Sequence, residues 1–151
     1  MGNDAQQQLF TATKAHLAAQ GFRVKRNMFW RHADSLIQSC SYQGSQFGHA
    51  VYVHLAFQLE HLEAVLPYSQ AEVQVRLENV LPDIARDLNE ALESNDPALA
   101  LGLWERALSP WLTEVMEQTK TRPGLAGWLV TLRSPITTRR GHEILDGFLQ
   151  W

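Results

Sequence analysis

The stretch SYQGSQFGHAVYVHLAFQLEH, residues 41–61, decides the fold class of this chain. From His49 to Leu59 the side chains alternate. Val51, Val53, Leu55 and Phe57 fall on one face, and Ala50, Tyr52, His54, Ala56 and Gln58 on the other. A period of two marks a strand with one face packed inward and the other at least partly polar. Leu36 to Gln43 reads as the preceding strand, with a hairpin turn around residues 44–48.

Further toward the N-terminus, Phe22 and Val24 alternate with Arg23 and Lys25, Asn27 offers a turn, and Met28 to Arg31 starts another extended run. His32-Ala33-Asp34 reads as a turn. All these connections are short, so the strands are expected to form a four-stranded antiparallel meander. Before it, Leu9, Ala12, His16 and Ala19 recur at helical spacing, with Asp4 as a cap and Gly21 as a stop. After Pro67 the period becomes helical: Val73, Leu77, Val80, Leu81, Ile84, Leu88 and Leu92 form one row, with Pro82 imposing a kink or two abutting helices. Asp96 before Pro97 starts another helix, whose apolar stripe runs from Leu103 to Met116 across Ser109-Pro110. Leu125 to Leu132 and Ile144, Leu145, Phe148 and Trp151 give two shorter helical faces. The expectation is one α+β domain over residues 1–151: an N-terminal helix, the meander, and a C-terminal helical half packed on the sheet from about Ser69.

With 151 residues, 45% of them hydrophobic and 19% charged, the chain can bury a core and has a globular composition. Cys40 is the only cysteine, which excludes an intramolecular disulfide and makes a reducing, cytoplasmic setting the expected one. The start, MGNDAQQQLF, has no basic segment followed by an apolar run, so no signal peptide is expected. The longest apolar stretches are too short to span a bilayer, and no membrane partner is expected. The net charge of -3 is unevenly distributed. Residues 1–59 carry a balance of +3, residues 60–97 of -7 and residues 98–151 of +1. The acidic middle segment would repel phosphate backbones and steer a basic partner.

The chain has no Gly-rich phosphate loop, no HExxH, no GxSxG and no paired CxxC. His54, Glu60, His61 and Glu63 are near in sequence, but their spacing matches no common ligand set, so no metal and no cofactor is expected. A hairpin turning at residues 44–48 would place Cys40 opposite Tyr52 or His54. A Cys beside a His is the minimum for a thiol nucleophile, yet no third group orients the His. Cys40 is therefore read as a structural apolar residue, and no catalytic residue is assigned. Nucleic acid ranks last as a partner. Arg133, Arg139 and Arg140 lie in a stretch that reads as a solvated loop.

Gly21 to Phe57 resembles a bacterial family known only as a domain of unknown function. The matching positions are Gly21, Phe22, Lys25, Phe29, Gln43, Ser45, Phe47, Gly48, Tyr52, Val53, His54 and Leu55, about a quarter of the chain being covered. The sequence departs from that pattern at His54, where the family favours Asn, and at Gly44, where Lys is common. The resemblance implies a small immunity-type binder of the kind found beside bacterial toxins. A non-catalytic protein-binding module is thus the leading expectation, with a toxin's basic domain as partner. Its candidate binding residues are Trp30, Arg31, Gln43, Ser45, Tyr52, His54, Asp83, Asp87 and Glu90. The competing expectation is a ligand-binding protein or small enzyme with a pocket between sheet and helices, using Cys40, Tyr52, His54 and Glu60.

Overall fold

The computed structural model describes residues 2–133 and 135–148. The first element is helix α1, Asp4–Ala18. Asn3, not Asp4, is its cap: the Asn3 side chain accepts from the Gln6 amide at 3.0 Å, and the Gln6 side chain accepts from the Asn3 amide at 2.9 Å. The helix gives way to a strand through Gly21, whose φ of 88° a glycine adopts without strain.

Four strands follow: β1 Arg23–Lys25, β2 Met28–His32, β3 Ile37–Gly44 and β4 Val51–Gln58. They form the expected antiparallel meander, but the sheet is larger than four strands. Two more join in chain order, β5 Val73–Arg76 beside β4 and β6 Ile136–Thr137 beside β5. The helical offsets place Val73 in a helical row, and residues 133–142 read as a loop. Val73-Gln74-Val75-Arg76 alternates as well as it fits a helix, and its two valines complete the apolar face begun by Phe57 and Leu55, their register partners. Tertiary pairing overrides the helical offsets.

The helices are α2 Leu77–Val80, α3 Pro82–Glu93, α4 Pro97–Leu103, α5 Ser109–Gln118, α6 Arg122–Leu129 and α7 Arg139–Leu145. Pro82 separates α2 from α3, as two abutting helices. Helix α5 starts at Ser109-Pro110, with Pro110 in its first turn. Trp104–Leu108 is a π turn with right-handed helical backbone on both sides, joining α4 to α5. Pro110 lacks the N–H that an α-helix would use there, and the wider turn accommodates this. Of the last apolar face, Leu145 is buried and Trp151 lies outside the described residues.

The register sorts the sheet into two faces. Phe29, Cys40, Tyr42, Val53, Leu55, Phe57, Val73 and Val75 face the helices and are buried. Phe10 of α1 packs on Phe29, and Trp128 of α6 meets Phe57 edge-on. The opposite, outer face carries Met28, Trp30, Ser39, Ser41, Gln43, Tyr52, His54, Ala56, Gln58 and Gln74. Its middle is not open to solvent: Ser39, Ala56 and Gln58 are all buried. The segment 59–72 folds across it. Gln58 anchors that segment, its amide nitrogen donating to the carbonyls of Glu60, His61 and Ala64 and its oxygen accepting from Leu66 N–H. The Glu72 carboxylate accepts from the amides of Leu59 and Glu60, and Arg122 donates to the Leu59 carbonyl. These bonds pair amides and carbonyls of the covering segment with the side chains of Gln58, Glu72 and Arg122.

Candidate functional site

The nine expected binding residues do not form one surface. Asp83, Asp87 and Glu90 lie on α3 in the helical layer. Trp30 is on β2 beside the edge strand β1, and it shares the outer face with Gln43, Tyr52 and His54. On α3 the guanidinium of Arg86 sits 3.5 Å from Asp83 and 3.1 Å from Asp87, so two of the three acids carry a basic partner. Two other acids of the segment are structural: Glu72 holds the loop, and Glu93 accepts from the amides of His49 and Ala50. Gly48 lies so close to Glu93 that a Cβ there would stand 2.7 Å from its carboxylate.

Around the hairpin tip, the amide of Ser45 donates to the Ala50 carbonyl, and Ser45 Oγ accepts from Phe47 N–H at 3.3 Å. Phe47 projects from the tip with 92% of its surface exposed. Tyr52 is 41% exposed. His54, in contrast, is covered. Only 2% of it is accessible, with the Tyr68 ring stacked on it at 3.9 Å. Its Nε2 lies 2.9 Å from Gln43 Oε1, which also accepts from Tyr68 O–H at 2.9 Å. Burial, and after it the positive charge of Arg76 on the next strand, brings the His54 pKa down to about 4.

Cys40 and His54 do not meet. The last register pair is Gly44 with Val51, so Cys40 lies opposite Leu55 and its side chain enters the helix-facing core. The turn was expected slightly earlier, and one residue of register exchanges the two faces of a strand. Burial pushes the Cys40 thiol up to about 12. In the folded protein at about pH 8 the thiol is therefore expected to resist iodoacetamide and to react at an ordinary rate once denaturant unfolds the chain. Labelling followed by intact mass checks this; quantitative modification under native conditions would refute it. Glu60, the remaining pocket candidate, pairs with Arg140, which holds its carboxyl below the usual range. Among the described residues no group of three or more His, Cys, Asp or Glu is placed to hold a metal, and no helix is long and apolar enough to cross a membrane.

Arg31 is buried on the helix-facing side. Its Nε donates to Gln38 Oε1 at 2.8 Å, its Nη1 to the Gln20 carbonyl at 2.7 Å, and its guanidinium lies 4.5 Å over the Phe22 ring. It joins β2 to the ends of two helices and is not a free surface cation.

Trp30 stands differently. It is half-buried, with the Arg23 guanidinium 5.7 Å above its ring and His32 edge-on at 5.6 Å. Strand β1 reaches β2 only from Lys25 opposite Met28 to Arg23 opposite Trp30. Beyond that point Arg31 and His32 have a strand neighbour in β3 alone. The resulting notch is an open concavity of about 720 Å³ between the end of α1, β2 and the segment after β4, lined by Gln20, Arg23, Trp30, His32, Glu63 and Lys120 among others. Arg23, Lys25 and Arg26 have no carboxylate within 4.0 Å among the described residues, whereas Lys120 is 3.0 Å from Glu117. Sequence reading singled out Trp30. It had no signal that β1 stops early, because strand ends follow pairing rather than composition. No family model, curated protein or solved structure matches this chain.

Proposed function

We infer that the chain is a non-catalytic protein-binding module and that its contact surface is the Trp30 notch, where it takes an extended acidic segment of another protein. The observation that carries this reading is the open edge of β2 at Arg31 and His32, flanked by an aromatic anchor and an unpaired arginine. An open sheet edge offers backbone hydrogen bonds to an added strand. Half-buried tryptophan and arginine are the side chains that anchor interfaces. The uncompensated charges of Arg23, Lys25 and Arg26 favour a partner with carboxylates along that strand.

The α3 face, the other candidate surface, supports a basic partner less well, since Arg86 neutralises part of it. An immunity-type role, as the resemblance implies, is compatible with either face, so the interface decides which toxin chemistry is sought.

The test uses a labelled peptide of alternating glutamate and valine, a lysine–valine counterpart, and amide shifts of the protein. Saturable shifts confined to residues 22–33, seen with the acidic peptide alone, are expected. Trp30→Ala together with Arg23→Glu should weaken binding by about tenfold or more. Shifts centred on α3, equal binding of the two peptides, or indifference to the double variant would overturn the assignment.

A further inference from the structure

A second concavity lies on the outer face, and it shares no lining residue with the Trp30 notch. The segment 59–72 covers the β4 side of that face but leaves the β2–β3 side uncovered near the hairpin end. There a cleft of about 470 Å³ is lined by Met28, Ser41, Gln43, Val65, Pro67 and Tyr68, with Lys25 and Arg26 of the β1–β2 turn at its margin.

Ser41 is the floor. It lies on the outer face between its register partners Met28 and His54, and only 6% of it is accessible. Its Oγ is buried and has no hydrogen-bond partner among the described residues. Native proteins rarely leave such an atom unpaired, and here every comparable group nearby is satisfied. Gln58 makes four hydrogen bonds, and His54 and Tyr68 both go to Gln43 Oε1. That sharing uses the Gln43 oxygen and leaves its amide nitrogen without a partner among the described residues. The cleft therefore presents one amide donor and hides one unpartnered hydroxyl just beneath its floor, between the thioether of Met28 and the ring of Tyr68. Two cations, Lys25 and Arg26, stand at the mouth without carboxylate partners. A few convergent polar groups in an otherwise apolar concavity of this size are the attributes of a small-molecule site.

We propose that this cleft binds a small aromatic carboxylate that carries a hydroxyl or carbonyl at the end remote from its acid. The ring lies between Met28 and Tyr68, the remote oxygen bonds Ser41 Oγ once a χ1 rotation turns it into the cleft, and the carboxylate is held by Lys25 and Arg26. An acid is favoured over a neutral or cationic ligand by those two charges. A polar inner end is favoured over a plain hydrocarbon because the hydrocarbon would leave Ser41 unpaired.

Three probes separate these contributions: 4-hydroxyphenylacetate, phenylacetate without the hydroxyl, and tyramine with the same ring but a cationic end. Titrated into the full chain and followed by amide shifts, 4-hydroxyphenylacetate is expected to saturate, with shifts at residues 25–28, 41–44 and 65–68. Phenylacetate should bind about tenfold more weakly, and tyramine more weakly still. Ser41→Ala should bring the two acids to equal affinity. The same substitution should leave the ligand-free protein at least as stable as wild type, since it removes an unpaired hydroxyl. Lys25→Gln with Arg26→Gln should abolish the preference for acid over amine. Absence of saturable shifts with all three probes overturns the proposal. So do shifts confined to other residues, a hydroxyl preference that survives Ser41→Ala, or a clear loss of stability in Ser41→Ala, which would give the hydroxyl a structural role.

Discussion

Replacing Gln38 by leucine is expected to cost about 3 kcal/mol of stability, although the two side chains are similar in size and the position is wholly buried. The α5 helix ends at Gln118, so the carbonyl of Met116 has no intrahelical donor. Two side chains from the sheet supply one. Gln38 Nε2 donates to Met116 O at 2.8 Å and to Thr119 Oγ1 at 2.9 Å, and Arg31 Nη2 reaches the same carbonyl at 3.3 Å. Gln38 Oε1 in turn accepts from Arg31 Nε at 2.8 Å. Burial already draws the Arg31 pKa below that of an ordinary arginine, with the charge of Glu117 acting against it. The guanidinium nevertheless keeps its charge, beside a helix C-terminus where a cation is favoured. Leucine at position 38 leaves a charged N–H of Arg31 without its acceptor and leaves Met116 O with one long hydrogen bond. The cost lies in those stranded groups and not in lost volume. A second substitution tests that explanation. Arg31→Met combined with Gln38→Leu should cost clearly less than the two single changes added together, because the double variant leaves fewer buried polar atoms unpaired. Urea denaturation of the four proteins gives the cycle. A Gln38→Leu cost below about 0.5 kcal/mol, or strict additivity, would show that the network does not hold β2 and β3 to α5.

That network also shows where a sequence stops being legible. Alternation along β3 and β4 is a local property, and it revealed the strands, their antiparallel order and their apolar face. Pro82 and Pro97 are local too: Pro97 starts a helix as expected, and of the kink or two abutting helices expected at Pro82 the chain forms the latter. Pairing is different. Val73-Gln74-Val75-Arg76 satisfies two periods at once, and only β4 beside it decides for the strand. The hairpin register was one residue from placing Cys40 on the same face as His54, and nothing in the turn residues fixed it. Gln38 and Thr119 are 81 positions apart, and Arg31 and Met116 are 85 apart. The segment 59–72 has no periodicity, so its place across the outer face rests on Gln58 and Glu72, whose partners cannot be read from spacing. The candidate site suffered most. Trp30 stands where a strand ends early and Ser41 where a loop stops short, and both are properties of the assembled sheet.

Lowering the pH from about 6.5 to about 4 is expected to remove up to about 3 kcal/mol of stability through His54 alone. In the unfolded chain the imidazole titrates near its ordinary value of about 6.5. In the folded protein its pKa is about 4, first because burial under Tyr68 disfavours the charged ring, and second because Arg76 is its cross-strand neighbour. A depressed folded pKa means that the unfolded state binds the proton more tightly. The contribution is therefore complete above about pH 6.5, declines as the pH falls, and is exhausted once the pH passes below the folded value. Its loss should be felt first in the segment 59–72, because protonation desolvates a charge between Ser41 and Tyr68. His54→Gln removes the titration while keeping a hydrogen-bonding side chain toward Gln43. The difference in stability between wild type and His54→Gln, measured by denaturant titration at several pH values, should be constant above about pH 7 and should shift against wild type between about pH 6.5 and 4. Arg76→Gln should make wild-type behaviour slightly less steep, but most of the slope should survive, since burial is the larger cause. A wild-type minus variant difference that does not change with pH would place the His54 pKa at its unfolded value, and with it an imidazole that Tyr68 does not cover.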